Sequence, residues 1–185
     1  MEEGNLWGEI RSGNIVKVSE KTIKWKDLFG RTILMASCSK GNLELTRQIL
    51  HTGANVNSKN NLGSPALMYA IDGKQPEIIL LLLKAGADVN AKCKRNWTPL
   101  IRAVCFGTSD LVQTLLDKGA DVDARDVDDS TVLIYAVRFG TVDIVRMLVK
   151  AEAGLSFKDK SNKTALMHAR DRGETEIVRL LENSV

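Results

Sequence analysis

Two histidines, three cysteines and a short run of aspartates are the side chains best equipped for chemistry in this 185-residue sequence. Acid–base or nucleophilic catalysis needs such groups to converge with tuned pKa values, and their placement argues against it. His51 stands just before Thr52 and Gly53, where a helix end offers free carbonyls for its ring to satisfy. His168 follows Leu166 by two and reads as a packing or surface position on a helix. Cys38, Cys93 and Cys105 are separated by long, unequal gaps and form no CxxC pair, so they read as reduced thiols of an intracellular protein. Cys105, beside Phe106, is a candidate accessible thiol. Asp126, Asp128 and Asp129 in DARDVDDSTV lack the spacing and distal glutamate of a calcium loop, and read as a solvated acidic tip. The sequence has no glycine-rich phosphate loop, GxSxG elbow or metal-ligand cluster. No catalytic residue, cofactor or metal is therefore expected.

Composition points the same way. An apolar content of 44% supports a real core, and 26 basic against 23 acidic residues leave a net charge of +3, a near balance that does not demand nucleic acid. The opening MEEGNLWGEI is acidic and lacks the apolar stretch of a secretory signal. The longest apolar run, Ile78 to Leu83, is far short of the about 20 residues that span a bilayer. A cytoplasmic protein without membrane attachment is expected.

The elements that must position these residues come from a repeat. Leu34, Leu67, Leu100, Leu133 and Leu166 fall 33 residues apart, a period that means stacked units too small to bury their own apolar faces. Thr32, Thr98, Thr131 and Thr164 stand two before the leucine, where a hydroxyl caps a first helix, and Pro99 suits the first helical position. Ser37, Ala70, Ala103, Ala136 and Ala169 follow as small residues that let helices approach. Gly41, Gly107, Gly140 and Gly173 then end the helix at φ > 0, with Gly73 one place early in the second unit. A second helix carries an acid in its first turn, at Glu44, Glu77, Asp110, Asp143 and Glu176. Its buried stripe is Leu45/Ile49, Ile78/Leu82, Leu111/Leu115, Ile144/Leu148 and Ile177/Leu181. Gly53, Gly86 and Gly119 end it. Glu152 replaces the fourth such glycine, which predicts strain or a shifted turn. A hairpin-like turn follows, with Gly30, Gly63, Asn96, Asp129 and Asn162 at its left-handed position.

The pattern TPL, then A, G, LL, GAD and VN resembles the ankyrin repeat, most closely in GADVNAKCKRNWTPL, and the resemblance covers about residues 28–185. It implies an all-α ankyrin-repeat solenoid with projecting hairpin-like turns. The expected boundaries are a degenerate N-terminal capping repeat at 1–29, in which Leu6 and Gly13 keep the Leu-to-Gly spacing but five residues are missing before KWKDLFGRT, then repeats at 30–62, 63–95, 96–128 and 129–161. A truncated C-terminal cap at 162–185 closes one continuous domain. The resemblance also implies a non-catalytic module, an adaptor or stoichiometric inhibitor, that binds a protein or peptide on a concave face of turn tips and first helices. In a eukaryote it would nominate Asn90, in LLKAGADVN, for hydroxylation, beside its ordinary role of hydrogen-bonding the turn.

On such a face the candidates are the residues the repeat does not require. Phe29, Leu62 and Trp97 place large apolar groups at or beside the tips. Arg95 flanks Trp97, and Arg102 stands on the following helix. Phe106 and Phe139, with Arg138, either extend this patch or pack between neighbouring first helices. Tyr69 and Tyr135 read as packing residues. One column, Lys26, Lys59, Lys92, Arg125 and Lys158, is uniformly basic. It either keeps hairpin edges from aggregating or attracts an acidic partner, and it carries the alternative of a nucleic-acid-associated protein. Neighbouring aspartates offset its field, so a monomer with a protein partner of mixed charge is expected. Leu80, where other units have Arg or Gln, puts an apolar side chain on the outer face.

Overall fold

The computed structural model describes residues 8, 10, 18–106 and 108–184. The chain divides into two units, residues 1–94 and 95–185, each described by itself. Among the described residues all regular structure is helical, in pairs joined by short hairpin-like turns. Leu6, Gly13 and Gly107 lie outside the described residues.

In the first unit α1 (Glu20–Ile23), capped by Ser19, precedes the pairs α2 (Ile33–Lys40) with α3 (Leu43–His51) and α4 (Ala66–Asp72) with α5 (Pro76–Lys84). The first helix of each pair is apolar nearly all round. Ile33 to Cys38 are all buried in α2, which packs on both α3 and α4. Second helices are amphipathic and bury one stripe each. Ser37, fully buried, accepts a hydrogen bond from the Thr46 hydroxyl at 3.0 Å and donates to the Leu34 carbonyl, so the α2–α3 contact contains a satisfied polar pair.

In the second unit the pairs are α6 (Pro99–Phe106) with α7 (Ser109–Asp117), α8 (Val132–Phe139) with α9 (Val142–Lys150), and α10 (Ala165–Asp171) with α11 (Thr175–Glu182). First helix packs on first helix, α6 on α8 and α8 on α10, through the small residues Ala103, Ala136 and Ala169, each with no exposed surface. Thr131 and Thr164 accept from the backbone N–H three residues on, as does Thr98 toward Ile101 at 3.3 Å, and Pro99 begins α6. All five second helices have their acid in the first turn. The expected stripe holds except at Leu111, which is half-buried, while its neighbour Val112 is fully enclosed.

The hairpin positions take the left-handed conformation, at Gly30 and Gly63 and at the non-glycines Asn96, Asp129 and Asn162, with φ of 58°, 57° and 59°. Glu152 carries φ 62° where three other second helices end on Gly53, Gly86 and Gly119, so the strain read at this position is present. Two helix-ending glycines differ from expectation. Gly73 has an ordinary φ of −78°, and Lys74 after it takes φ 53°, keeping the 33-residue register. Gly140 is extended, at φ −85°. Its side chain is excluded by space, since a Cβ there would meet the Ala136 carbonyl oxygen at 2.7 Å.

Candidate functional site

Four of the hairpins are each organised by one Asx side chain. In the second unit Asp126 Oδ1 accepts from the N–H groups of Asp128 and Ser130 at 2.8 and 2.9 Å, and Oδ2 accepts from the Tyr135 hydroxyl at 2.8 Å. Asp159 repeats this with the N–H groups of Ser161 and Lys163, and its Oδ2 lies 2.7 Å from His168 Nε2. In the first unit Asn60 Oδ1 accepts from Leu62 and Ser64, and its amide donates to the Tyr69 hydroxyl at 2.8 Å. Asp27 accepts from the N–H groups of Phe29 and Arg31, and from Arg31 Nε at 2.6 Å. The short Asx side chain is suited to this, since it closes a turn two residues on and still has an atom for a helix side chain nine residues on.

The solvated acidic tip is therefore corrected at Asp126, which is only 4% exposed and fully hydrogen-bonded, whereas Asp128 and Asp129 are exposed. Burial, then the Asp126 hydrogen bond and charge, push the Tyr135 hydroxyl well above its usual pKa, so it stays a protonated donor. Burial also pushes up the Asp159 carboxyl, but the hydrogen bond and charge of His168 and the two backbone donors outweigh it and hold the group below the usual carboxylate range.

Holding the hairpins this way leaves the tip side chains outside, and in the second unit they meet the ends of α6 and α8 in a groove of about 440 Å³. Its floor is a ladder of rings. Trp97 lies 6.4 Å from Phe106 and 5.3 Å from Tyr135, edge-on, and Tyr135 stacks on Phe139 at 6.1 Å. The guanidinium groups of Arg95 and Arg102 lie over Trp97 at 6.0 and 5.9 Å, and that of Arg138 lies over Phe139 at 5.8 Å. Phe106 and Phe139, for which two roles were open, keep 51% and 61% of their surface in solvent, far from the burial of a packing residue.

Arg95, Trp97, Phe106, Arg138 and Phe139 thus line one groove, and Arg102 stacks on its central ring. Phe29, Leu62 and Lys92 belong to the first unit, where all three are exposed. Phe29 is 63% exposed beneath the Arg31 guanidinium, and Leu62 is 65% exposed. Sequence reasoning missed Leu28, at 95% the most exposed large apolar residue among the described ones, and the groove-lining Lys160 and Ser161. The 33-residue column that contains Phe29, Leu62 and Arg95 also contains Asp128 and Ser161, so the signal was there. Of the basic column, Arg125 is half-buried and stacks on Phe157 at 4.0 Å, a packing use.

Cys105 is corrected from an accessible thiol to a half-buried one that burial pushes up to about 11 against the opposing charge of Arg102, and enclosure pushes Cys38 to about 12. His51 is exposed in the last turn of α3, and the His168 ring is tied to Asp159. Leu80 is 44% exposed on α5.

A family model described as ankyrin repeats in three copies matches residues 11–93 and 100–184, and a second, for many copies, matches 73–116. The chain belongs to the ankyrin-repeat family, with the all-α fold of that family. No curated protein matches it in sequence. Ankyrin repeats are generally protein–protein interaction modules, and the family is typically non-catalytic. No helix among the described residues is long and apolar enough to cross a membrane.

Proposed function

We propose that this protein is a non-catalytic binding module, an adaptor or stoichiometric inhibitor, that takes a partner protein on the face built from hairpin tips and first helices. One observation carries the reading. The four-ring ladder leaves Phe106 and Phe139 exposed beside arginines whose flat faces are already stacked. Trp, Tyr and Arg in a partly enclosed groove are the residue types that dominate binding energy at interfaces. In the first unit Phe29, Leu62 and Lys92 belong to the same proposal, as tip residues with no role in holding their hairpins beyond the main chain.

The test is affinity capture from nuclease-treated lysate of the source organism, comparing wild type with the double variant Arg95→Glu/Trp97→Ala, both first shown folded by circular dichroism. Proteins retained by the wild type alone support the reading. Equal retention, or none, rules out the groove as the partner site. Retention that returns only when nuclease is omitted, and falls steeply with salt, identifies a nucleic-acid-associated protein instead.

A further inference from the structure

Resting on that reading, we infer that the groove's ligand is a short acidic linear segment of the partner, in which an aromatic or large aliphatic side chain stands among carboxylates. At about 440 Å³ the space falls within the size of clefts that enclose a few side chains, and it is more enclosed than the flat patches used against folded surfaces. Its floor calls for an apolar group, since the exposed faces of Phe106 and Phe139 are apolar and Tyr135 spends its hydroxyl on Asp126.

The mouth of the groove sets the charge. Arg95 and Arg138 each stack on a ring and have no carboxylate partner among the described residues, so their N–H edges remain available to an incoming anion. Lys160 adds a third cation. Against them stand three carboxylates, but two are already engaged. Asp126 and Asp159 are buried and hold backbone N–H groups with Tyr135 or His168. Only Asp128 presents its charge to solvent. The groups with free hydrogen-bonding atoms at the mouth are therefore three cations and one carboxylate, which favours Asp and Glu flanking the apolar anchor within about four positions, the reach of one helical turn or a short extended stretch.

A phage-displayed library of random dodecapeptides, panned on the whole chain, tests this. The expected consensus carries Asp or Glu around an aromatic or large aliphatic residue. A synthetic consensus peptide is expected to bind the Arg95→Glu/Arg138→Glu variant about tenfold or more weakly than wild type, and its charge-reversed counterpart is expected to prefer the variant. If the reversal perturbs folding, Arg95→Gln/Arg138→Gln is expected to weaken binding of the consensus peptide in the same direction. No enrichment, a basic consensus, binding indifferent to both variants, or displacement of the peptide by a single-stranded oligonucleotide would each overturn the inference. If lysate capture succeeds through the groove while panning fails, the partner is read as a folded surface and this inference alone falls. If both fail, the proposed function falls with it.

Discussion

Replacing Tyr135 by phenylalanine removes one hydroxyl, and the loss falls on Asp126, whose buried Oδ2 is left without its donor. The expected cost is about 1–2 kcal/mol, readable as a lower midpoint in urea unfolding, with Trp97 fluorescence reporting the rearranged ladder. Glu152 offers the opposite case. Its φ of 62° is unfavourable for a residue with a Cβ, and Glu152→Gly is expected to raise stability by about 0.5–1 kcal/mol, the left-handed penalty less the greater freedom of glycine in the unfolded chain. A thermal melt that does not rise would show that the Glu152 side chain contributes more than its backbone costs. The second case was legible in the sequence because glycine recurs at the other helix exits. The first was not. Asn60, Asp126 and Asp159 share a column, but a carboxylate in a column of tips reads as solvated until its partner on the following helix is known. That partner is a tyrosine at Tyr69 and Tyr135 but a histidine at His168.

At the scale of elements, each first helix starts from a hairpin that must deliver the chain in an extended conformation, and a threonine hydroxyl then accepts from the N–H three residues on, except in α4, where Pro65 precedes the helix without a side-chain cap. Thr131→Ala is expected to destabilise by about 1 kcal/mol by chemical denaturation, with little change in the groove, since Thr131 caps α8 through Ile134 and lines no part of it. Element order, cap residues, acidic first turns and left-handed turn positions were all legible, because each is a local demand of backbone geometry that few residue types meet. The exit from α4 was read less well. Gly73 suggested a shifted helix end, yet the register held and Lys74 absorbed the strained conformation. Gly73 is required by space instead, since a Cβ there would stand 2.9 Å from the Ser39 carbonyl oxygen. Sequence shows where a glycine is, and only packing shows whether φ or crowding demands it.

Two properties belong to the whole molecule. Burial raises the carboxyls of Asp27 and Asp159, but hydrogen bonds from Arg31 and His168 and from backbone N–H groups outweigh it and hold both below the usual carboxylate range in the folded protein. A depressed folded pKa contributes stability that is complete above the unfolded value and is lost as pH falls through the folded one. Unfolding free energy is therefore expected to decline as pH drops from about 4, and less steeply in Asp159→Asn, which equilibrium denaturation at stepped pH would show. Local stability is uneven too. In α8 six residues, Val132 to Val137, are buried, but α10 buries only Ala165 and Ala169, so amides of α10 and α11 are expected to exchange faster than those of α8 and α9. Repeat periodicity made the helix pairs readable, while the groove depended on contacts between units of the repeat, such as Trp97 with Tyr135, that no single repeat contains. One further feature bears on how such a surface changes over generations. In the second unit, neighbouring tips are joined through the main chain, the Val127 N–H donating to the Arg95 carbonyl at 3.1 Å and the Lys160 N–H to that of Asp128 at 3.0 Å. Neither bond involves a side chain at 95, 128 or 161. Inheritance can rewrite those three letters, proline excepted at 128 and 161 where N–H groups are engaged, and a lineage could trade one partner for another without first risking the scaffold that displays it.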